Sequence, residues 1–154
     1  MNDFNVILFT QRFHKEIRFI DCYYNQGEGL QHYVKVLQER KYVYGRHYLP
    51  HDIMVRDMST GIPRFDTLKN LGLKGLAVVP KLSIEDGIEM VRNLFGQFWI
   101  DKEHCSKLVE AINNYRKDWN DRVGQFANRP LHNEASHFCD ALRLVVVSWL
   151  GNNC

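Results

Sequence analysis

Three features of the sequence predict an α/β fold with a mixed sheet, built as a single domain over residues 1–154. Two β-rich stretches joined by a polar turn open the chain and indicate an antiparallel hairpin. Amphipathic helices and short apolar strands then alternate, which is typical of parallel strands joined by helices. The length of 154 residues, 45% of them hydrophobic, allows one domain with a substantial core.

Composition and alternation predict the hairpin. The stretch 5–11 is rich in β-branched and aromatic residues, and a polar turn at 12–15 separates it from a second stretch at 16–24. In the second stretch Ile17 and Phe19 alternate with charged residues. One face of this strand is therefore expected to meet solvent or to lie at an edge.

Apolar residues spaced three and four apart predict the helices, and glycine, proline and capping residues mark where elements begin and end. In chain order we expect a helix from Leu30 to about Lys41, a strand at 44–49, a short helix closed by Gly72, a buried parallel strand at 76–79, a helix capped by Ser83, an apolar segment at 98–100, a helix begun by Asp101, a polar loop at 120–133 and a helix around Phe138.

The strand at 44–49 is the first place where a functional site is expected. Pro50 has no N–H to extend a sheet, so Asp52 should fall just past the carboxyl end of this strand. In open α/β sheets, ligands collect at that edge. The alternative is that Asp52 only caps a turn, where aspartate is common.

The last helix carries a second candidate acid, Asp140. An almost charge-free run follows it to Trp149, which predicts a buried helix, and a buried carboxylate is costly unless it is paired or binds a metal. The alternative is an ion pair with Arg143. His137 lies three residues before Asp140 on the same face. It is a candidate ligand, acid–base group or partner of a ligand, or else a structural histidine.

Composition and net charge exclude few classes of function. The net charge of +2 does not by itself indicate nucleic acid. No apolar run reaches transmembrane length and the first residues do not resemble a signal peptide, so we expect an intracellular protein without membrane contact and with reduced cysteines. A zinc site at His132, His137 and Cys139 is disfavoured because the spacing fits no standard pattern.

Five short motifs follow one another along nearly the whole chain, at 16–21, 44–52, 86–92, 115–119 and 132–142. In this order they resemble the C-terminal nuclease domain of the large subunit of tailed-phage terminases. The resemblance implies an RNase H-like mixed sheet, with an antiparallel hairpin plus parallel strands, flanked by helices. A transposase or resolvase nuclease of the same superfold is a further alternative, against which the Pro50-His51-Asp52 and Ser136-His137 motifs argue.

What the resemblance implies is a metal-dependent endonuclease that cuts concatemeric phage DNA into genome units for packaging. Family members hold two Mg²⁺ or Mn²⁺ ions with three acidic residues; by position Asp52 is the second acid and Asp140 the third, with His137 a catalytic candidate. The implied partners are double-stranded DNA, the terminase ATPase domain, the small terminase subunit and the portal. The implied location is the cytoplasm of a bacterial host, for a phage- or prophage-encoded protein.

The chain departs from the family pattern at its N-terminus. The strand bearing the first acid would precede Met1, and Asp3 is the candidate substitute for that acid. We therefore expect a fold without its first strand and without an ATPase domain, holding one ion or none. The alternative function is a non-catalytic prophage remnant that binds DNA or a packaging partner. Either the strands beside the gap close up, or a second copy pairs there as a homodimer.

Four basic residues are candidate phosphate contacts, with simple solvation as the alternative. They are Lys69, Lys74, Arg122 and Arg129.

Overall fold

The computed structural model describes residues 4–120, 125–126 and 134–151. Asp3, Arg122, Arg129 and His132 lie outside the described residues. The chain folds as two compact units. The Asp52 unit is formed by Gly27–Lys81, and the hairpin unit by Phe4–Gln26 and the chain from Leu82 onward. The expectation of one functional domain stays a prediction.

In its described residues, the hairpin unit contains a three-stranded mixed sheet and three helices. Its elements are β1 (Phe4–Phe13), β2 (Glu16–Gln26), α3 (Ile84–Leu94), a 3₁₀ turn (Phe95–Gln97), β5 (Phe98–Ile100), α4 (Ser106–Asp118), the short pair β6 (Trp119–Asn120) and β7 (Gln125–Phe126), and α5 (Glu134–Gly151). The sheet order is β1-β2-β5, in which β1 and β2 are antiparallel and β5 is parallel to β2. The predicted hairpin is confirmed, with strands that extend beyond the predicted ones.

A β-bulge divides β2 into two halves. Phe9 pairs with Asp21 but Thr10 pairs with Phe19, which leaves Ile20 as an extra residue. Before the bulge, Ile17 and Phe19 point into the apolar core. The extra residue shifts the alternation, so Cys22 and Tyr24 pack against the core after it.

The core of the hairpin unit lies where the sheet meets α3, α4 and α5. Its buried residues are Ile17, Phe19, Val91, Leu94, Cys105, Leu108, Ala111, Ile112, Phe138, Leu142, Val146 and Trp149. Arg12 fastens the hairpin to the last helix, because its guanidinium donates to the Trp149 carbonyl at 2.8 Å and lies 4.0 Å from the centre of the indole. A cation is favourable at this end of a helix.

The predicted helix cap at Ser83 is confirmed, whereas Asp101 caps a turn that precedes α4. The Ser83 Oγ accepts the Asp86 N–H at 3.1 Å at the start of α3. The Asp101 carboxylate accepts the N–H groups of Glu103 and His104, each at 3.0 Å, in the turn that leads into α4. The Ser83 cap satisfies an N–H group that the start of α3 leaves without a partner inside the helix.

The Asp52 unit contains two short parallel strands and two helices. Its elements are α1 (Leu30–Glu39), β3 (His47–Leu49), a 3₁₀ turn (His51–Met54), α2 (Arg64–Asn70) and β4 (Leu76–Val78). Within the described chain, β3 and β4 form a two-stranded sheet whose register runs from His47 opposite Leu76 to Leu49 opposite Val78. Val34, Ile53 and Leu68 form the centre of this unit's core. Gly72 follows α2 with a φ of 101°, as expected for a glycine that ends a helix.

Two predictions for the Asp52 unit were wrong in detail. The strand expected at 44–49 is only three residues long, and before it the Tyr44 hydroxyl donates to the Leu37 carbonyl at 2.7 Å. The strand expected to be buried at 76–79 is partly open to solvent, and Val78 is 39% exposed. A parallel strand is buried on both faces only where helices cover both.

The mixed α/β architecture, with antiparallel and parallel strands flanked by helices, is thus confirmed. The more specific RNase H-like topology stays a prediction. Within the described ranges, no helix combines the length and apolar character needed to cross a membrane.

Candidate functional site

Asp52 lies where the sequence predicted it, just past the carboxyl end of a strand. β3 ends at Leu49, and Pro50 leads into the 3₁₀ turn with φ −68° and ψ 158°. The Val79 N–H donates to the Leu49 carbonyl at 2.8 Å, so the parallel pairing with β4 continues to this point. Asp52 therefore follows the shared carboxyl edge of two parallel strands, the position favoured for ligands in α/β sheets.

The backbone rather than the carboxylate of Asp52 closes the turn. The Ile53 N–H donates to the Pro50 carbonyl at 3.1 Å, and the Val55 N–H donates to the Asp52 carbonyl at 3.0 Å. Ile53 is buried in the core of the unit and Asp52 is exposed. The buried side chain fixes the turn, and the carboxylate is presented to solvent from a backbone held by hydrogen bonds.

The nearby Asp57 stabilises a surface turn. Its Oδ1 accepts the Ser59 N–H at 2.7 Å and the Thr60 N–H at 3.3 Å, together with the Ser59 hydroxyl. These hydrogen bonds, the hydroxyl first, hold the pKa of Asp57 below its usual value. Asp57 thus organises a surface turn, whereas Asp52 presents its carboxylate outward.

Asp140 lies on α5 and is exposed, so the prediction that its carboxylate is buried was wrong. The buried side of α5 is formed by Phe138, Cys139, Leu142, Val146 and Trp149. A charge-free run after Asp140 predicted burial all round the helix, but a helix with 3.6 residues per turn buries one side only. Asp140 forms an ion pair with Arg143, which was the alternative drawn from the sequence.

The remaining predicted residues divide between the two units. His137 is half-buried on α5, one turn before Asp140. Lys69 and Lys74 are exposed in the Asp52 unit. Asp52 and Asp140 belong to different units, so the prediction that they share a divalent ion stays a prediction.

The two acids have the donor chemistry that Mg²⁺ and Mn²⁺ prefer, since both are hard oxygen ligands open to solvent. They differ in their contacts. Asp52 is exposed to solvent, whereas Asp140 forms an ion pair with Arg143. Across residues 4–120, 125–126 and 134–151, no three His, Cys, Asp or Glu side chains are grouped closely enough to hold an ion by themselves. Asp52 and Asp140 each offer one carboxylate, and that of Asp140 is paired with Arg143.

The sequence analysis did not single out Asp21, a buried charged residue of the hairpin unit that is 4% exposed. Its Oδ1 accepts the N–H of Cys22 at 2.8 Å, next to the bulge. Near it, burial and a hydrogen bond with the Cys22 thiol raise the pKa of the Cys105 thiol, and the hydrogen bond is the larger cause. In the sequence Asp21 continues the period-two alternation of Ile17 and Phe19, but the bulge at Ile20 places it on the opposite face of β2, so this local pattern does not predict its surroundings.

Comparison with known proteins gives one partial similarity. Over 71 residues the chain is 35% identical to the terminase large subunit of Escherichia phage T5. The match covers 44% of this chain and 16% of the phage protein, so the chain spans about one sixth of that relative's length. No family model and no solved structure matches. The resemblance to terminases is confirmed to the extent of this partial similarity.

Proposed function

We propose that the chain is part of a metal-dependent endonuclease that cuts concatemeric double-stranded DNA during phage genome packaging. The observation that carries the proposal is the 35% identity, over 71 residues, with a phage terminase large subunit. The position of Asp52 at the carboxyl edge of β3 and β4 supports it, because that edge is a favoured site for chemistry.

In this proposal Asp52 and Asp140 hold Mg²⁺ or Mn²⁺, and His137 assists as an acid–base group or orients a ligand. A bound divalent ion supplies an activated water and stabilises the leaving oxygen of a phosphodiester. The chain itself holds the side chains of Asp52, Asp140 and His137 in place. Backbone hydrogen bonds fix the Asp52 turn, and the packed α5 carries Asp140 and His137.

The test is cleavage of supercoiled plasmid DNA in Mn²⁺, compared between the parent chain and Asp52→Asn. We expect cleavage to require Mn²⁺ and to be lost in Asp52→Asn. The matched control is Asp66→Asn, which removes another exposed carboxylate of the same unit and should retain cleavage. Equal cleavage by the parent and Asp52→Asn would contradict the metal role of Asp52.

A second candidate function is non-catalytic binding of DNA. It is favoured by the charge of the Asp52 unit, because Gly27–Lys81 contains nine Lys and Arg residues against five Asp and Glu residues. Such an excess can bind phosphates without any metal, and the binding should weaken steeply with salt.

Duplex binding in EDTA tests this second function. Replacing Lys69 and Lys74 by Gln should weaken binding and lower the slope of log K against log[salt] by about two, if each lysine contacts one phosphate. The matched control replaces Lys15 and Lys102, which are exposed in the hairpin unit. Binding without Mn²⁺-dependent cleavage would favour this function over the nuclease.

A further inference from the structure

The Asp140 carboxylate is already occupied by a cation from its own helix. Arg143, one turn further along α5, donates from Nη2 to the Oδ1 of Asp140. The two side chains differ in their surroundings, since Arg143 is 19% exposed and Asp140 is 60% exposed. Because a guanidinium keeps its positive charge, Asp140 lies beside a fixed cation.

A glycine on a neighbouring helix provides the space for Arg143. A Cβ atom placed on Gly87 of α3 would lie 2.7 Å from the Arg143 Cδ and 3.4 Å from its Cγ. Gly87 is buried, so the aliphatic part of Arg143 lies across bare backbone at the contact between α3 and α5. Any larger residue at 87 would have to move this side chain, and Gly87 thereby positions the arginine.

From this arrangement we propose that Arg143 is a built-in competitor for the metal at Asp140, positioned by Gly87. The proposal rests on the proposed metal function. A divalent ion that binds Asp140 must take lone pairs of the carboxylate that now accepts from Arg143, and it approaches a fixed positive charge. Metal binding is therefore an exchange of one cation for another, and Asp140 is the weaker of the two acids as a first ligand.

The competing explanation predicts that removing Arg143 changes the metal affinity in the opposite direction. Carboxylates that bind metals are often held in place by a hydrogen-bond donor, and removing that donor weakens metal binding. If Arg143 orients Asp140 for the metal, its removal lowers metal affinity. If Arg143 competes, its removal raises metal affinity. The sign of one measurement distinguishes the two roles.

The experiment is calorimetric titration of the full chain with Mn²⁺. Arg143→Met keeps the aliphatic stem over Gly87 and removes the charge. We expect Mn²⁺ to bind this variant about two- to five-fold more tightly, the range that corresponds to the measured strength of exposed ion pairs. An unchanged or weaker affinity would overturn the proposal.

A second pair of variants tests the role of Gly87 without touching either charge. Gly87→Ala should displace Arg143 and raise the Mn²⁺ affinity in the same direction. Gly96→Ala makes the same chemical change where nothing lies within 4 Å, and it should leave the affinity unchanged. Equal affinities of Gly87→Ala and Gly96→Ala would contradict the positioning role.

A metal-free measurement separates this inference from the proposed function. A double-mutant cycle of Asp140→Asn and Arg143→Met on thermal stability in EDTA should show a favourable coupling between the two residues. If the coupling is present but Asp140→Asn leaves Mn²⁺ binding unchanged, the metal function of Asp140 fails although the ion pair exists. If the coupling is absent, the competitor role itself fails.

Discussion

The imidazole of His104 lies against the carboxylate of Asp101, with His104 Nδ1 3.0 Å from Asp101 Oδ2. The other oxygen of the same carboxylate accepts the backbone N–H groups of Glu103 and His104. One aspartate therefore caps the turn before α4 and forms an ion pair with the protonated histidine of that turn.

This pair predicts a pH dependence for His104. The hydrogen bond and the charge of Asp101 raise the pKa of His104, so the stabilisation is fully present below the histidine's unfolded pKa and is lost as pH rises through the folded one. NMR titration should show a pKa above the ordinary 6.5. In Asp101→Asn it should return toward that value, and an unchanged pKa there would contradict the pairing.

The backbone N–H of His104 is the largest cause of a lowered pKa for Asp101, and the hydrogen bond with the His104 side chain is the next. Its contribution is present above the unfolded pKa of the aspartate and is lost as pH falls through the folded one. His104→Gln should leave the pKa of Asp101 still lowered, because the backbone donors remain. Full restoration of the Asp101 pKa in His104→Gln would show instead that the side chain dominates.

Gly75→Ala should destabilise the Asp52 unit by about 1–3 kcal/mol. Gly75 has a φ of 69°, and an added Cβ would lie 2.8 Å from the Gly45 carbonyl oxygen. A backbone atom cannot swing away as a side chain can. Urea unfolding measures the change, and Gly45→Ala is the control because nothing lies within 4 Å of its added Cβ. Equal stability of the two variants would contradict the close approach.

Ser83→Ala should cost about 1 kcal/mol through loss of the cap on α3. Ser83→Asp keeps an oxygen acceptor and adds a charge that is favourable at a helix N-terminus, so it should retain stability. Thermal unfolding of the two variants provides the comparison. If both variants lost stability equally, the bond to the Asp86 N–H would not be the cause.

Leu108→Ala should be among the most damaging substitutions in the hairpin unit, at about 2–5 kcal/mol. Leu108 is 0% exposed and belongs to the cluster between the sheet and the helices. The surface control is Val43→Ala, at a side chain that is 101% exposed, and it should change stability by less than about 0.5 kcal/mol. Denaturant unfolding monitored by tryptophan fluorescence is the measurement.

Local signals predicted the elements well wherever a residue's own chemistry decided the outcome. Pro50, Gly72 and Ser83 each mark a boundary at the place expected, because the missing donor, the left-handed backbone or the capping oxygen acts within a few residues.

The pairing of strands and the burial of side chains were harder to predict, because both depend on residues distant in sequence. Pairing of β5 with β2 joins Ile17 to Phe98 across the chain, and no local pattern specifies it. The exposure of Asp140 depends on which side of α5 meets the core, and a charge-free run is compatible with either side. Asp21 lies in the motif at 16–21, yet its burial was not predicted, because the bulge beside it arises from pairing with β1.

Because of the bulge at Ile20, the residues of β2 that face the core are odd-numbered before it and even-numbered after it. Ile17 and Phe19 point inward on one side of it, and Cys22 and Tyr24 point inward on the other. Removing Ile20 would leave the inward order of these four side chains unchanged, because the extra residue is absorbed within the bulge. Anywhere else along β2, a single-residue insertion or deletion would reverse the facing of every residue beyond it. This strand can thus change its length by one residue at the bulge without changing the core that it covers.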